Sequence, residues 1–152
     1  MAKEPRVLIV DDETPVRGLL RVIAQRSGLA ADEAADGYEC LELLERNTYD
    51  VILLDLAMPW MNGLEVIEYL KRKDVHPAVI VLTAMTRWNF AGIDPQVVHC
   101  ILRKPCDVDL LAAMLSATAT AMYERRKRET PTDGALHSAE TSRFGWTAVP
   151  AE

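Results

Sequence analysis

The strongest constraint on this chain is a set of apolar runs that each stop at a polar side chain. Val7-Leu8-Ile9-Val10 ends at Asp11-Asp12, Val51-Ile52-Leu53-Leu54 ends at Asp55, and Val79-Ile80-Val81-Leu82 ends at Thr83. A further run from Val98 to Leu102 leads through Arg103 to Lys104-Pro105. Short runs with no polar residue on alternate positions suit strands covered on both faces. Between them, apolar residues recur at helical spacing. That alternation predicts a single doubly wound α/β domain on a parallel sheet, and right-handed crossovers leave it few topologies. In such a sheet the carboxyl ends of the strands share one edge, where ligands bind. Three carboxylates, one hydroxyl and one ammonium are then expected in one crevice, the inventory for a divalent metal and a phosphoryl group.

Strands are expected at 6–10, 30–34, 51–54, 79–82 and 98–102. The second of these, Ala-Ala-Asp-Glu-Ala, has poor strand propensity and is assigned from the alternation of elements. Thr14-Pro15 supplies a helix start, and Val16, Leu19, Leu20 and Ile23 share a face that ends near Gly28. Asp36-Gly37 reads as a turn ahead of a helix at 38–46, with Cys40, Leu41, Leu43 and Leu44 available for packing. A third helix follows Asn62-Gly63 and buries Leu64, Val66, Ile67 and Leu70. Gly92 and Pro95 oppose a regular helix between strands four and five, so helix four is expected to be irregular. The last helix, about 107–128, carries Leu110, Leu111, Met114, Leu115, Thr118 and Met122 on one face. Its Arg125-Arg126-Lys127-Arg128 end complements the helix dipole, or else belongs to an extension that pairs with another molecule. The ordered domain is expected over 1–128, with a flexible tail over 129–152.

The chain has 152 residues, enough for one domain with a core. A net charge of -6 argues against sequence-independent binding to nucleic acid. The odd cysteine count, Cys40, Cys100 and Cys106, fits neither a disulfide framework nor a structural zinc site. With no apolar signal core and no run near the roughly 18 residues of a membrane span, a soluble cytoplasmic protein is expected.

Asp11, Asp12 and Asp55 would crowd negative charge and drive at least one pKa upward. A hard cation, Mg²⁺ or Mn²⁺, relieves this through oxygen ligands. Asp55, alone at its strand end, is the better nucleophile. Thr83 can donate to a phosphoryl oxygen and Lys104 can offset developing charge. Each residue has a plainer reading: Asp11 or Asp12 as a helix cap, Thr83 as an ordinary strand-end hydroxyl, Lys104 as a solvated cation. Their joint order at strand ends favours the chemical reading.

With Val-Asp-Asp at 10–12, Asp55 followed by Met58-Pro59 and Asn62-Gly63, Thr83-Ala84 and Lys104-Pro105, the chain resembles the receiver domain of two-component response regulators over about 5–128. The resemblance implies a flavodoxin-like sheet of five parallel strands, order 2-1-3-4-5, with five helices. It implies phosphorylation of Asp55 by a histidine kinase or phosphotransfer protein. It also implies a metal held by Asp12 and Asp55 side chains and the Ala57 carbonyl, Asp11 acting mainly through a water. Thr83 and Lys104 would touch the phosphoryl oxygens, and the Lys104-Pro105 bond is of a kind often cis in the family. The protein would be a phosphoacceptor that assists its own phosphorylation and dephosphorylation, not a conventional enzyme.

The chain departs from the family where output is transmitted. Ile101 stands where the switch aromatic is usual. Trp88 and Phe90 lie in the irregular segment 84–97, as core anchors or as a partner patch. The rim positions Ala57 and Met85 are nonpolar and cannot orient a water, which implies a long-lived phosphorylated state. The reading is a stand-alone receiver, monomeric or weakly dimeric, meeting a downstream protein through its helix four, strand five and helix five face, without direct contact to nucleic acid or membrane. Two alternatives stay open: a receiver portion of a larger transcriptional regulator, and a phosphorylation-independent scaffold. A haloacid-dehalogenase-type phosphatase would need an Asp-x-Asp pattern that Asp11-Asp12-Glu13 does not offer.

Overall fold

A computed structural model describes residues 4–74, 76–84 and 93–129. The strands are β1 (Arg6–Val10), β2 (Ala30–Ala34), β3 (Val51–Leu54), β4 (Ala78–Thr83) and β5 (Val98–Arg103). The helices are α1 (Thr14–Arg26), α2 (Gly37–Arg46), α3 (Gly63–Lys71) and α4 (Val108–Glu129). All strand pairings are parallel and the order is β2-β1-β3-β4-β5, the flavodoxin-like arrangement expected. Most of the segment expected to hold an irregular helix, including Met85, Trp88 and Phe90, lies outside the described residues, as does the chain from 130. What is described at 94–97 is a turn, in which the Val97 and Val98 N–H groups both donate to the Asp94 carbonyl at 3.0 Å.

Alternate residues of each central strand feed two cores. Leu8, Val10, Ile52, Leu54, Val79 and Val81 pack with Cys40 of α2 and Val66, Ile67 and Leu70 of α3. Val7, Ile9, Val51, Leu53, Ile80 and Leu82 pack with Leu20 and Ile23 of α1 and Leu111 and Leu115 of α4. This two-sided cover is why the strand sequences show no alternation. Each large aliphatic side chain so buried contributes about 1.5–3 kcal/mol.

Three local expectations change. Asp36 is not in a free turn; it caps α2 by accepting the Glu39 N–H at 2.9 Å. Leu19 and Leu110 do not pack; they are 53% and 49% exposed, and the buried seam of α4 is Leu111, Leu115 and Ala119. The basic end of α4 does more than face the helix dipole: Arg126 makes a two-pronged pair with Asp50, Nε to Oδ1 and Nη2 to Oδ2, both at 3.0 Å. The weak β2 survives because its acids are paired. Asp32 accepts from Arg6 at 2.8 Å and from the Tyr49 hydroxyl at 2.6 Å. Glu33 accepts from Arg17 at 3.2 Å and Arg21 at 2.8 Å.

Candidate functional site

Parallel register assembles the crevice at the carboxyl edge. The Asp55 N–H donates to the Val10 carbonyl at 3.0 Å and the Asp11 N–H to the Ala34 carbonyl at 3.2 Å. Asp11 and Asp55 therefore sit one step beyond β1 and β3, on neighbouring strands. Thr83 ends β4, and its carbonyl accepts the Lys104 N–H at 2.7 Å, one residue past β5. Asp11, Asp55 and Thr83 are buried, while Asp12 is exposed. Carboxylate oxygens of Asp11, Asp12 and Asp55 lie within 4.8 Å of one another.

The turn after β3 is held tightly. The Gly63 N–H donates to the Leu56 carbonyl at 3.1 Å. A Cβ on Gly63 would stand 2.6 Å from the Asp55 carbonyl oxygen and 2.8 Å from the Leu56 Cα, so only glycine allows α3 to start this close to the acidic loop. Asn62 closes the helix start with a capping box to Glu65.

Lys104 stands between the carboxylates. Its Nζ donates to Asp11 Oδ2 at 2.6 Å and lies 3.5 Å from Asp55 Oδ2. The remaining oxygens take turn N–H groups: Asp11 Oδ1 accepts from Glu13 at 2.9 Å and Asp55 Oδ1 from Ala57 at 3.1 Å. Asp11 does not cap α1, whose N-cap is Glu13; it holds the turn ahead of that helix and faces the ammonium. Burial pushes the Asp55 carboxyl above the usual aspartate range; Lys104 and the Ala57 N–H oppose this, and Asp11 and Asp12 add to it. For Lys104, burial acts to lower the pKa, but the Asp11 hydrogen bond and the Asp55 and Asp11 charges outweigh it and hold the ammonium above its ordinary value. Three carboxylates cluster here and one ammonium pairs with two of them, Asp11 and Asp55, so negative charge is left uncompensated. Hard oxygen donors in this number fit a small divalent cation.

The Lys104–Pro105 peptide is cis. Ile101 is half-buried against the α2 and α3 core, and Ala57 is exposed at the rim. Two residues near the site escaped the sequence reading. Arg17 donates from Nη1 to the Asp11 carbonyl at 2.7 Å while Glu33 holds its Nε. Trp60 is 81% exposed with a φ of 67°; a large aromatic between Pro59 and Asn62-Gly63 was the signal available for it.

The family model described as the response regulator receiver domain matches residues 7–116. The transcriptional regulatory protein ResD of Bacillus subtilis is 33% identical over 139 residues, covering 88% of this chain and 56% of that protein. The chain spans about half the length of such curated relatives. Among solved structures, the response regulator TrrA of Thermotoga maritima in complex with Mg(2+)-BeF is 30% identical with a TM-score of 0.68, covering 75% of this chain and 98% of that one. A CheY-like receiver domain protein of Methanospirillum hungatei is 27% identical with a TM-score of 0.71, covering 79% and 98%.

Proposed function

We propose, from the premise that this chain belongs to the response regulator receiver domain family, that it accepts a phosphoryl group on Asp55 and signals through a protein partner. The observation that carries this is the cluster of Asp11, Asp12 and Asp55 carboxylates, with the Lys104 ammonium on Asp11 at 2.6 Å and 3.5 Å from Asp55. A carboxylate oxygen of Asp55 attacks phosphorus in a phosphohistidine of a kinase or phosphotransfer protein. The P–N bond breaks, and its electron pair goes to the imidazole nitrogen. The product is an acyl phosphate, with the proton balance met on the released imidazole.

Asp12 and Asp55 with the Ala57 carbonyl, and Asp11 beside them, would hold Mg²⁺ or Mn²⁺. When bound, the cation supplies charge neutralisation around the phosphoryl oxygens. Lys104 would add a compact positive charge beside Asp55, and the Thr83 hydroxyl would donate to a phosphoryl oxygen. Catalysis of this kind is positioning and electrostatics. The buried acceptor, the ammonium and the backbone-held carboxylates provide both.

Phosphorylation would draw Thr83 toward the site and shift the surface of residues 84–103, a local charge event biasing a two-state element. Differential affinity for a partner reads that shift, through a face that includes β5 and α4. We read the protein as cytoplasmic; no helix among the described residues is long and apolar enough to cross a membrane. A second reading, a receiver within a larger transcriptional regulator, is favoured by one observation: relatives such as ResD are about twice as long as the matched region. Intact mass after incubation with phosphoramidate and Mg²⁺, beside Asp55→Asn, tests the acceptor. One phosphoryl group on the wild type alone supports it; addition to both chains overturns it.

A further inference from the structure

The loop that follows the acceptor strand carries a side chain that the chemistry at Asp55 does not use. Trp60 is 81% exposed, while its neighbours Met58 and Met61 pack into the core on the α2 and α3 side. Among the described residues it is the one non-glycine with positive φ, at 67°. A bulky residue in that region is an outlier, and glycine would adopt the same backbone freely. The fold therefore tolerates strain to hold an indole in solvent, where it contributes nothing to this chain's own core. Strain retained at such a position points to a role outside packing.

Trp60 is not isolated. A Cβ on Gly37 would lie 2.6 Å from the Met61 carbonyl oxygen, so the start of α2 abuts the loop there. Tyr38 follows Gly37 and Trp60 precedes Met61, and the two flank this contact, 62% and 81% exposed. Tyr and Trp are the residue types that dominate interface energies, and here both are exposed beside one loop contact.

The occupant follows from where the rim lies. Asp55 is only 5% exposed. A protein that delivers a phosphoryl group to it must bring its own surface down onto the surrounding loops. The loop carrying Trp60 is one of these, because its Ala57 N–H holds Asp55 Oδ1 at 3.1 Å. A small phosphodonor has no protein surface to set against the rim. We propose that Trp60 is a docking anchor for the phosphohistidine-bearing protein that phosphorylates this chain, with Tyr38 extending the contact. The inference rests on the reading of Asp55 as acceptor and deepens it by assigning a specificity-determining residue.

The test compares two donors. One is phosphoramidate; the other is a phosphorylated histidine phosphotransfer domain chosen because it phosphorylates the wild type. Trp60→Ala and Trp60→Gly are expected to lower transfer from the protein donor by about tenfold or more, through KM rather than kcat. Trp60→Phe is expected to retain most of the wild-type rate, and modification by phosphoramidate should not change in any variant. Trp60→Gly should unfold at the same or higher urea concentration than the wild type, since it relieves the backbone. Unchanged transfer from the protein donor overturns the proposal. So does an equal loss with both donors, or a Trp60→Gly chain that unfolds earlier, because Trp60 would then be structural. An Asp55→Asn chain that still takes up phosphate would instead overturn the acceptor reading, so the two failures are told apart.

Discussion

Arg126 is expected to hold the last helix to the sheet, and its loss should be costly in a specific way. Asp50 is 2% exposed at the start of β3. Its Oδ2 accepts the Arg6 N–H at 2.9 Å, and both oxygens accept from Arg126. Arg126→Met would leave a buried carboxylate with one backbone partner. Removing one member of a buried pair costs roughly 3–5 kcal/mol. The Arg126 side chain is 33% exposed, so water can reach the gap, and about 2–3 kcal/mol is the better expectation. With a urea slope of about 1.5 kcal/mol/M, the unfolding midpoint should fall by roughly 1.3–2 M. Adding Asp50→Asn to Arg126→Met removes the stranded charge and should restore about 1 kcal/mol or more. The double variant should thus be more stable than Arg126→Met alone, although Asp50→Asn by itself destabilises the wild type. Urea unfolding of the four chains at neutral pH measures the cycle. Strictly additive effects, or an Arg126→Met midpoint within about 0.3 M of wild type, would refute the reasoning.

Further expectations concern the site and its supports. Hydrogen bonds from Arg21, then Arg17, outweigh burial and hold the Glu33 carboxyl below the ordinary glutamate range. A depressed carboxylate stabilises the fold above its unfolded pKa and loses that contribution as pH falls through the folded one. Glu33→Gln should therefore destabilise at neutral pH, and thermal unfolding should show the gap closing on acidification below the ordinary glutamate value. Saturating Mg²⁺, at about a hundred times its dissociation constant, should stabilise by about 2.7 kcal/mol. The same metal concentration should do markedly less for Asp12→Asn, and calorimetric unfolding with and without metal would show whether the two respond alike. Ala57 is exposed at the rim and nonpolar, so Ala57→Asn should shorten the phosphoryl lifetime severalfold by orienting an attacking water; equal decay rates of phosphorylated wild type and variant would contradict this.

What the sequence disclosed follows from how each feature is encoded. Asp11, Asp55 and Thr83 were legible because each ends a run whose length and apolarity set the strand, Lys104 because it follows such a run by two residues, and parallel strands bring their carboxyl ends together. β2 was the weakest of the expected strands, since its stability comes from partners far along the chain, Arg6, Arg17, Arg21 and Tyr49. Leu19 and Leu110 were misplaced because helical spacing assigns a face only to within one residue either way. The Asp50–Arg126 pair joins positions 76 residues apart, which no local pattern reports. The backbone at Trp60 is a conformational property, and only coordinates reveal its positive φ.

The central claim is that Asp55 carries the phosphoryl group. The most direct measurement is to phosphorylate the chain with phosphoramidate and Mg²⁺, reduce it with borohydride, and map the peptides. An acyl phosphate at Asp55 is reduced to the alcohol, so homoserine should be found at position 55 and at no other aspartate. Homoserine at position 11 or 12, or none at 55 in a chain that has gained a phosphoryl group, would contradict the account.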